Sequence, residues 1–154
     1  MKPLIPLLFI LILASCEYGP DYYLTFQNNS GMTIYVDWDT SYPADSLLIL
    51  KWMRKGYDAG NGDVILPHSK SVLRNGTEKR QSWLGQAIMS DYGYLSFTIM
   101  NIDTAKEGDY ERIQREYDVL ARYDLTGDNL QNLNYTLTYP PSDEMAGVHM
   151  WIRK

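Results

Sequence analysis

Alternation of apolar and polar residues at a period of two is the feature that most limits what this chain can fold into. In residues 22–27 every second side chain is Tyr, Leu or Phe, and similar alternation recurs in residues 32–39, 117–123 and 134–139. Successive side chains of a strand point to opposite faces, so this period is typical of strands with one buried face. The pattern therefore predicts a chain built mainly from short β-strands.

The spacing of these runs predicts how some strands pair. Residues 22–27 and 32–39 flank the sequence Asn28-Asn29-Ser30-Gly31, which is rich in residues that tolerate turn conformations. Two alternating runs around such a turn predict a β-hairpin. Residues 63–66 and 71–73 are expected to form a second pair of neighbouring strands.

The remaining patterns complete a mainly β prediction. Residues 92–102 are expected to form a central strand, and the apolar run 47–50 fits either a buried strand or a short helix. Helices are predicted at residues 81–89, after an Asp109 cap, and for one turn after a Thr126 cap. About seven strands with two or three short helices and no βαβ rhythm favour an antiparallel β-sandwich or a partly open barrel.

The first sixteen residues, MKPLIPLLFILILASC, have the composition of a secretory signal. Lys2 precedes an apolar stretch that is too short to span a bilayer, and small residues precede Cys16. The ending Leu-Ala-Ser-Cys resembles the lipobox of bacterial lipoproteins, which implies cleavage before Cys16 and lipid attachment to it. The alternative is an ordinary signal with an incidental cysteine. We therefore expect a signal at residues 1–15, a tether at 16–21 and one β-rich domain at 22–154.

Charge and cysteine content limit the kinds of partner and metal site that are expected of this chain. The formal net charge is −5, so a nucleic-acid partner is not expected, because phosphate binding requires a surplus of Lys and Arg. The single cysteine excludes an internal disulfide and a multi-cysteine zinc site. An acidic body is not attracted to anionic lipid, so the lipid on Cys16 is the expected contact with the membrane.

A longer resemblance covers the C-terminal half. Residues 110–113 (YERI), 117–126 (YDVLARYDLT), 128–135 (DNLQNLNY) and 139–141 (YPP) resemble small uncharacterised lipoproteins of Bacteroidetes-type bacteria. This resemblance implies a location in the cell envelope, at the outer membrane, on its periplasmic or its surface side. The group has no established activity, so the resemblance implies no catalytic residues.

Catalytic and metal-binding signatures are weak. The only histidines are His68 and His149, the one thiol is at the expected lipid site, and no Gly-x-Ser-x-Gly motif is present. Residues 58–63 and 124–128 resemble calcium loops only faintly, since the first has glycine where ligands are required. We therefore expect no catalytic residues, no metal and no cofactor. A carboxylate pair acting in a small hydrolase stays open as an alternative.

Tyrosine is the most distinctive side chain, with 13 Tyr and 4 Trp against 3 Phe. Its polar hydroxyl suits surfaces that contact a sugar or another protein, although tyrosine also fills cores and edges strands. If the predicted hairpin buries the face carrying Trp38, then Tyr23 and Tyr35 point the other way. They are the first candidates for a contact patch.

Two short segments suggest modification. Asp45-Ser46-Leu47 and Asp103-Thr104-Ala105 resemble the Asp-Ser/Thr-apolar acceptor of Bacteroidetes O-glycosylation. That resemblance implies glycan on Ser46 and Thr104.

Three functions are consistent with these patterns. The first is a non-catalytic envelope lipoprotein that binds a protein or glycan. The second is a periplasmic immunity or assembly lipoprotein whose acidic face binds a basic partner protein. The third is a small hydrolase.

Substitution Cys16→Ala tests the lipid anchor. We expect the wild-type chain to carry acyl mass and to fractionate with membranes, and the variant to lose both, because its thioether cannot form. Intact-mass analysis after detergent extraction measures this. Equal masses without acyl groups and identical fractionation would exclude lipidation.

Overall fold

Eight strands and four α-helices are present in residues 23–40, 62–73, 83–90, 92–107 and 109–154, the part of the chain that the computed structural model describes. The strands are β1 Leu24–Asn28, β2 Ile34–Asp39, β3 Asp63–Ile65, β4 Ser69–Leu73, β5 Leu95–Asn101, β6 Ala121–Leu125, β7 Thr136–Tyr139 and β8 His149–Ile152. The helices are α1 Trp83–Met89, α2 Ile102–Glu107, α3 Tyr110–Glu116 and α4 Gly127–Asn132, with a 3₁₀ turn at Asp143–Met145.

The strands form two sheets. Sheet A has the order β4-β1-β7, and sheet B has the order β3-β2-β5-β6-β8. All neighbours in sheet B are antiparallel, whereas sheet A combines the antiparallel pair β1–β4 with the parallel pair β1–β7. The two sheets are open and dominated by antiparallel pairs, so the expected mainly β, sandwich-like class is confirmed.

The principal core lies between the sheets. Leu24 and Phe26 of sheet A belong to the same buried cluster as Phe97 and Tyr123 of sheet B. The rings of Phe26 and Tyr123 stack with centroids 6.4 Å apart, and the Tyr123 hydroxyl donates to the Thr138 carbonyl at 3.0 Å. Burial gives apolar side chains most of their stabilising effect, so this cluster is the main force that holds the sheets together.

A second core covers the opposite face of sheet B. Tyr35 and Met100 project from β2 and β5 and are buried in one cluster with Ala105, Ile113 and Val119 from α2, α3 and the segment after it. Helices α2 and α3 therefore shield this end of sheet B. None of the helices in the described ranges is both long and apolar enough to span a membrane.

The predicted hairpin is wrong. Both strands form, but β1 pairs with β4 and β7 whereas β2 pairs with β3 and β5. The predicted neighbours β3 and β4 are likewise divided between the sheets. Alternation identifies which face of a strand is buried, but it does not identify the strand alongside. Because β2 is buried on both faces at residues 34–37, it fits the covered sheet B, whereas β1 has one exposed face.

Strands β1 and β2 run alongside β4 and β3, and together they form one two-stranded ribbon that bends between the sheets. Asn28 lies opposite Ser69 in sheet A, and Ile34 lies opposite Ile65 in sheet B. Residues 29–33 therefore cross between the sheets beside residues 66–68, and the longer crossing has two extra residues. Unequal crossings bend a ribbon, which is how strands pass from one sheet to another.

The buried side chain of Asn28 holds both crossings. Its amide nitrogen donates to the carbonyls of Met32, Ile65 and Leu66 at 2.7, 3.2 and 3.1 Å. Its oxygen accepts from the backbone and hydroxyl of Ser30 at 3.0 and 2.6 Å. One side chain thus replaces the ladder hydrogen bonds that both strands lose at the bend.

The predicted helix caps are confirmed. The Asp109 carboxylate accepts from the Arg112 amide at the start of α3, and Thr126 forms a capping box with Asn129 at the start of α4. Helix α1 lies within its predicted range, whereas α2 and β8 were not predicted. Strand β8 is an edge strand whose residues are mostly exposed, so it lacks a clear alternating pattern.

Substitution Asn28→Ala is expected to lower the free energy of unfolding by roughly 2–4 kcal/mol, because three backbone carbonyls in buried or partly buried hydrogen bonds lose their donor. The neighbouring exposed Asn29→Ala is the control and is expected to change it by less than about 0.5 kcal/mol. Urea unfolding followed by tryptophan fluorescence measures both. Equal effects of the two substitutions would contradict the role of Asn28 at the bend.

Candidate functional site

The outer face of sheet A carries exposed and half-buried side chains. Alternation places the side chains of β1 that do not face the core on this surface, together with their neighbours from β4 and β7. We call it the threonine face, and it consists of Tyr23, Thr25, Gln27, Lys70, Val72 and Thr136. Tyr23 is 71% exposed and Val72 47% exposed. Lys70 is the only charged member of this set, although the chain is acidic.

The prediction that Tyr23 and Tyr35 share a contact patch is wrong for Tyr35. Tyr35 is 1% exposed and belongs to the core beneath α2 and α3. Its ring lies directly against Gly62, where any side chain would collide with it. The prediction treated β2 as a strand with a solvated outer face, but sheet B is covered on both faces. Tyr23 is on the threonine face and remains a candidate contact residue.

The structure describes only one of the three predicted attachment sites for lipid or glycan. Cys16 and Ser46 lie outside the described residues. Thr104 is half-buried in the middle of α2, beside the fully buried Ala105. O-glycosylation of Thr104 remains a prediction.

A buried polar cluster occupies the other half of the outer face of sheet B. Strand alternation places Asp37 of β2, Ser96 and Thr98 of β5, and Arg122 and Asp124 of β6 on this face. All five are at most 5% exposed. We call them the polar cluster. Buried polar side chains in such number require partners, and their contacts determine what the cluster can do.

Asp124 is the most connected residue of the polar cluster. Its Oδ1 accepts from Arg122 Nε at 2.8 Å and from Ser96 Oγ at 2.7 Å. Arg122 Nη2 also lies 2.6 Å from the same oxygen. The ion pair and the two donors together compensate for the loss of water around this carboxylate.

His149 touches the polar cluster from the edge strand β8. Its Nδ1 lies 3.1 Å from Asp124 Oδ2, and its side chain is 69% exposed. Ser96, His149 and Asp124 are residue types of a catalytic triad, but Ser96 donates to the aspartate and not to the histidine. Activation of a serine requires the histidine to accept its proton, so this arrangement does not activate Ser96.

Asp37 is a buried carboxyl group of the polar cluster. Its Oδ1 accepts from the Trp38 amide at 2.8 Å. Loss of hydration on burial raises the pKa of Asp37 to about 7, against an ordinary value of 3.8, and the nearby charge of Asp39 adds to the rise. Burial disfavours the ionised form, so Asp37 titrates near neutral pH.

Thr98 lies between Asp37 and Arg122 in the register of the sheet. It is fully buried, and within the described ranges its Oγ1 has no hydrogen-bond partner. Such a hydroxyl costs free energy in the folded state, and native proteins contain few of them.

Sequence reasoning missed the polar cluster because it assigned the polar positions of these strands to solvent. The prediction of residues 92–102 as a central strand contained one signal that these polar side chains are buried. Polar side chains on a central strand and its neighbours are buried whenever a second layer covers the sheet.

Metal ligation finds no support in the described parts of the chain, where no group of three or more His, Cys, Asp or Glu side chains is arranged to hold an ion. Comparison of the chain with protein-family models, curated proteins and solved structures gives no match. The threonine face, the polar cluster and the N-terminal sequence are therefore the features that bear on function.

Asp37 is expected to make the protein less stable as the pH rises from about 4 to 7. Across this range the folded state keeps the Asp37 proton whereas the unfolded state, with its ordinary pKa of 3.8, has lost it. Folding therefore binds a proton, and stability falls with pH. Substitution Asp37→Asn removes this cost, so the variant should exceed wild type by on the order of 4 kcal/mol above pH 8 and match it near pH 4.

Urea unfolding at a series of pH values measures this difference. The exposed Asp143→Asn provides the control, because it removes one carboxylate that has no buried environment. A difference between wild type and Asp37→Asn that stays constant from pH 4 to 8 would show that Asp37 is not the titrating group.

Proposed function

We propose that this protein is a lipid-anchored, non-catalytic component of a bacterial cell envelope, attached to the outer membrane through Cys16, that binds a protein or glycan through the threonine face. The observation that carries the binding proposal is the composition of that face: an exposed tyrosine and valine among threonines, with Lys70 as its only charge. The anchor is supported by the sequence of residues 1–16.

The threonine face has the properties expected of a contact surface. Interface centres are enriched in tyrosine and depleted in charge, because desolvating a charge opposes association. Tyr23 combines a flat ring with a hydroxyl, so it can stack on a sugar or pack against a protein. Gln27 and the threonines add hydrogen-bonding groups without adding charge.

A basic partner, as an immunity or assembly lipoprotein would have, is less well supported. The acids around α3 are already paired within the chain. Arg112 binds Glu107, Glu116 and Asp118 at 2.7, 3.2 and 2.9 Å, and Arg153 also binds Asp118. These internal pairs reduce the negative potential that would attract a basic protein.

The hydrolase alternative is weakened by the same geometry that builds the polar cluster. Asp124 is held by Arg122 and Ser96, and Asp37 is 4% exposed. A pair of catalytic carboxylates must contact a substrate from both sides, which requires an open cleft between them.

Site-specific photocrosslinking in living cells tests the binding face. With a photoreactive amino acid at Tyr23 or Val72, we expect a discrete adduct, because a bound partner covers both positions. The control is the same substitution at Tyr92, which is 59% exposed and outside the threonine face. An adduct at Tyr92 equal to those at Tyr23 and Val72, or no adduct at any position, would contradict the proposal.

The nature of the adduct distinguishes the candidate partners. A protein partner is removed by protease, whereas a glycan partner resists protease and is cleaved by periodate. An adduct with a basic protein that no longer forms when crosslinking is carried out at high salt would favour the immunity or assembly alternative.

Protease treatment of intact cells separates the two sides of the outer membrane. Digestion on intact cells indicates surface exposure and favours a glycan or host-facing partner. Protection until the cells are permeabilised indicates the periplasm and favours an assembly role.

A further inference from the structure

Strand β4 is an edge of sheet A, and the hydrogen bonds of β1 determine which of its backbone groups point outward. The Thr25 amide donates to the Tyr135 carbonyl at 2.8 Å, so the backbone groups of Thr25 point toward β7 and away from β4. Thr25 lies opposite Val72, and Gln27, two residues further along, lies opposite Lys70. Residues opposite each other in an antiparallel pair either both face the partner strand or both face away from it. The N–H and C=O groups of Lys70 and Val72 therefore point outward from the sheet.

These four outward backbone groups are unpaired. Within the described ranges, β1 is the only strand that pairs with β4, and neither Lys70 nor Val72 forms a hydrogen bond beyond that pairing. Both side chains are exposed and belong to the threonine face. An unpaired edge of this kind is a template for an added strand.

The other edge strand of sheet A, β7, is closed by the chain itself. The Thr136 amide donates to the Leu133 carbonyl at 2.9 Å, and the Thr138 amide donates to Met145 Sδ at 3.4 Å. The Thr138 carbonyl accepts from the Tyr123 hydroxyl at 3.0 Å. An added strand would have to displace these contacts at β7, whereas it displaces none at β4.

Lys70 selects the charge of an added strand. It is the only charged member of the threonine face, and it forms no ion pair in the part of the chain that the structure describes. A residue hydrogen-bonded opposite Lys70 would have its Cα about 5.5 Å away, which allows an acidic side chain to pair with the ammonium group. The residue two positions along would lie opposite Val72, which is 47% exposed and favours an apolar neighbour.

We propose that the partner of the threonine face is a protein segment that adds to β4 as a further strand, with an acidic residue opposite Lys70 and an apolar residue opposite Val72. This inference rests on the proposed function, because it names the class of partner for the same face. Residues two apart in a strand are separated by about 6.8 Å. A second strand repeats its N–H and C=O groups at the same spacing, so one strand satisfies all four outward groups.

Val72→Pro and Val72→Ala separate backbone pairing from side-chain contact. The photoreactive amino acid is placed at Tyr23 in living cells, and the yield of protease-sensitive adduct is compared. Val72→Ala keeps the N–H group and is expected to retain the wild-type yield within about twofold. Val72→Pro removes that donor and is expected to lower the yield at least about fivefold. A folded Val72→Pro protein with the same yield as Val72→Ala would overturn the proposal.

Lys70→Gln and Lys70→Glu test the charge of the partner segment with the same readout. Lys70→Gln removes the attraction to an acid, whereas Lys70→Glu replaces it with repulsion. We expect the adduct yield of Lys70→Glu to be at least about threefold below that of Lys70→Gln. Equal yields from the two variants would overturn the assignment of an acidic residue opposite Lys70.

Hydrogen exchange of the purified Tyr23 adduct needs no substitution in β4, so it keeps the proposal testable if Val72→Pro fails to fold. The amides of Lys70 and Val72 are expected to exchange at least about tenfold more slowly in the adduct than in the free chain. Equal exchange in the two samples would overturn the proposal.

The outcomes distinguish this inference from the proposed function. The absence of any adduct at Tyr23 in the wild-type chain would contradict both. A protease-resistant glycan adduct, or a protein adduct that leaves the exchange of β4 unchanged, would overturn the added strand alone and leave the threonine face as a binding surface.

Discussion

The Asn28 side chain determines how the two sheets are joined. Residues 29–33 and residues 66–68 both pass from sheet A to sheet B at the same corner. The buried side-chain amide of Asn28 forms hydrogen bonds to both segments. Because the crossings differ by two residues, the ribbon bends. That bend places the apolar faces of β1 and β2 on opposite sides of a shared core, which a flat hairpin cannot do.

The two sheets differ in how many of their faces are covered. Sheet B has the main core on one face, and helices α2 and α3 on part of the other. Sheet A has the main core on one face and the threonine face on the other. Polar residues of β5 and β6 are buried, whereas those of β1 and β4 are at least partly accessible.

The threonine face and the polar cluster lie on opposite sides of the sandwich, with two packed sheets between them. Packed sheets are separated by about 10 Å, so a partner on the threonine face makes no direct contact with the polar cluster. A large partner fits the exposed threonine face, whereas the side chains of the polar cluster are buried.

The sequence alone determined the elements that depend on neighbouring residues. Strands β1, β2, β6 and β7 follow from period-two alternation, and the caps Asp109 and Thr126 act within one turn of helix. Tertiary structure decided which strands pair, that Tyr35 is buried, and that Asp37 lies beside Thr98. These outcomes depend on residues far apart in the chain, because pairing and burial are set by whatever packs against a strand and not by its own pattern.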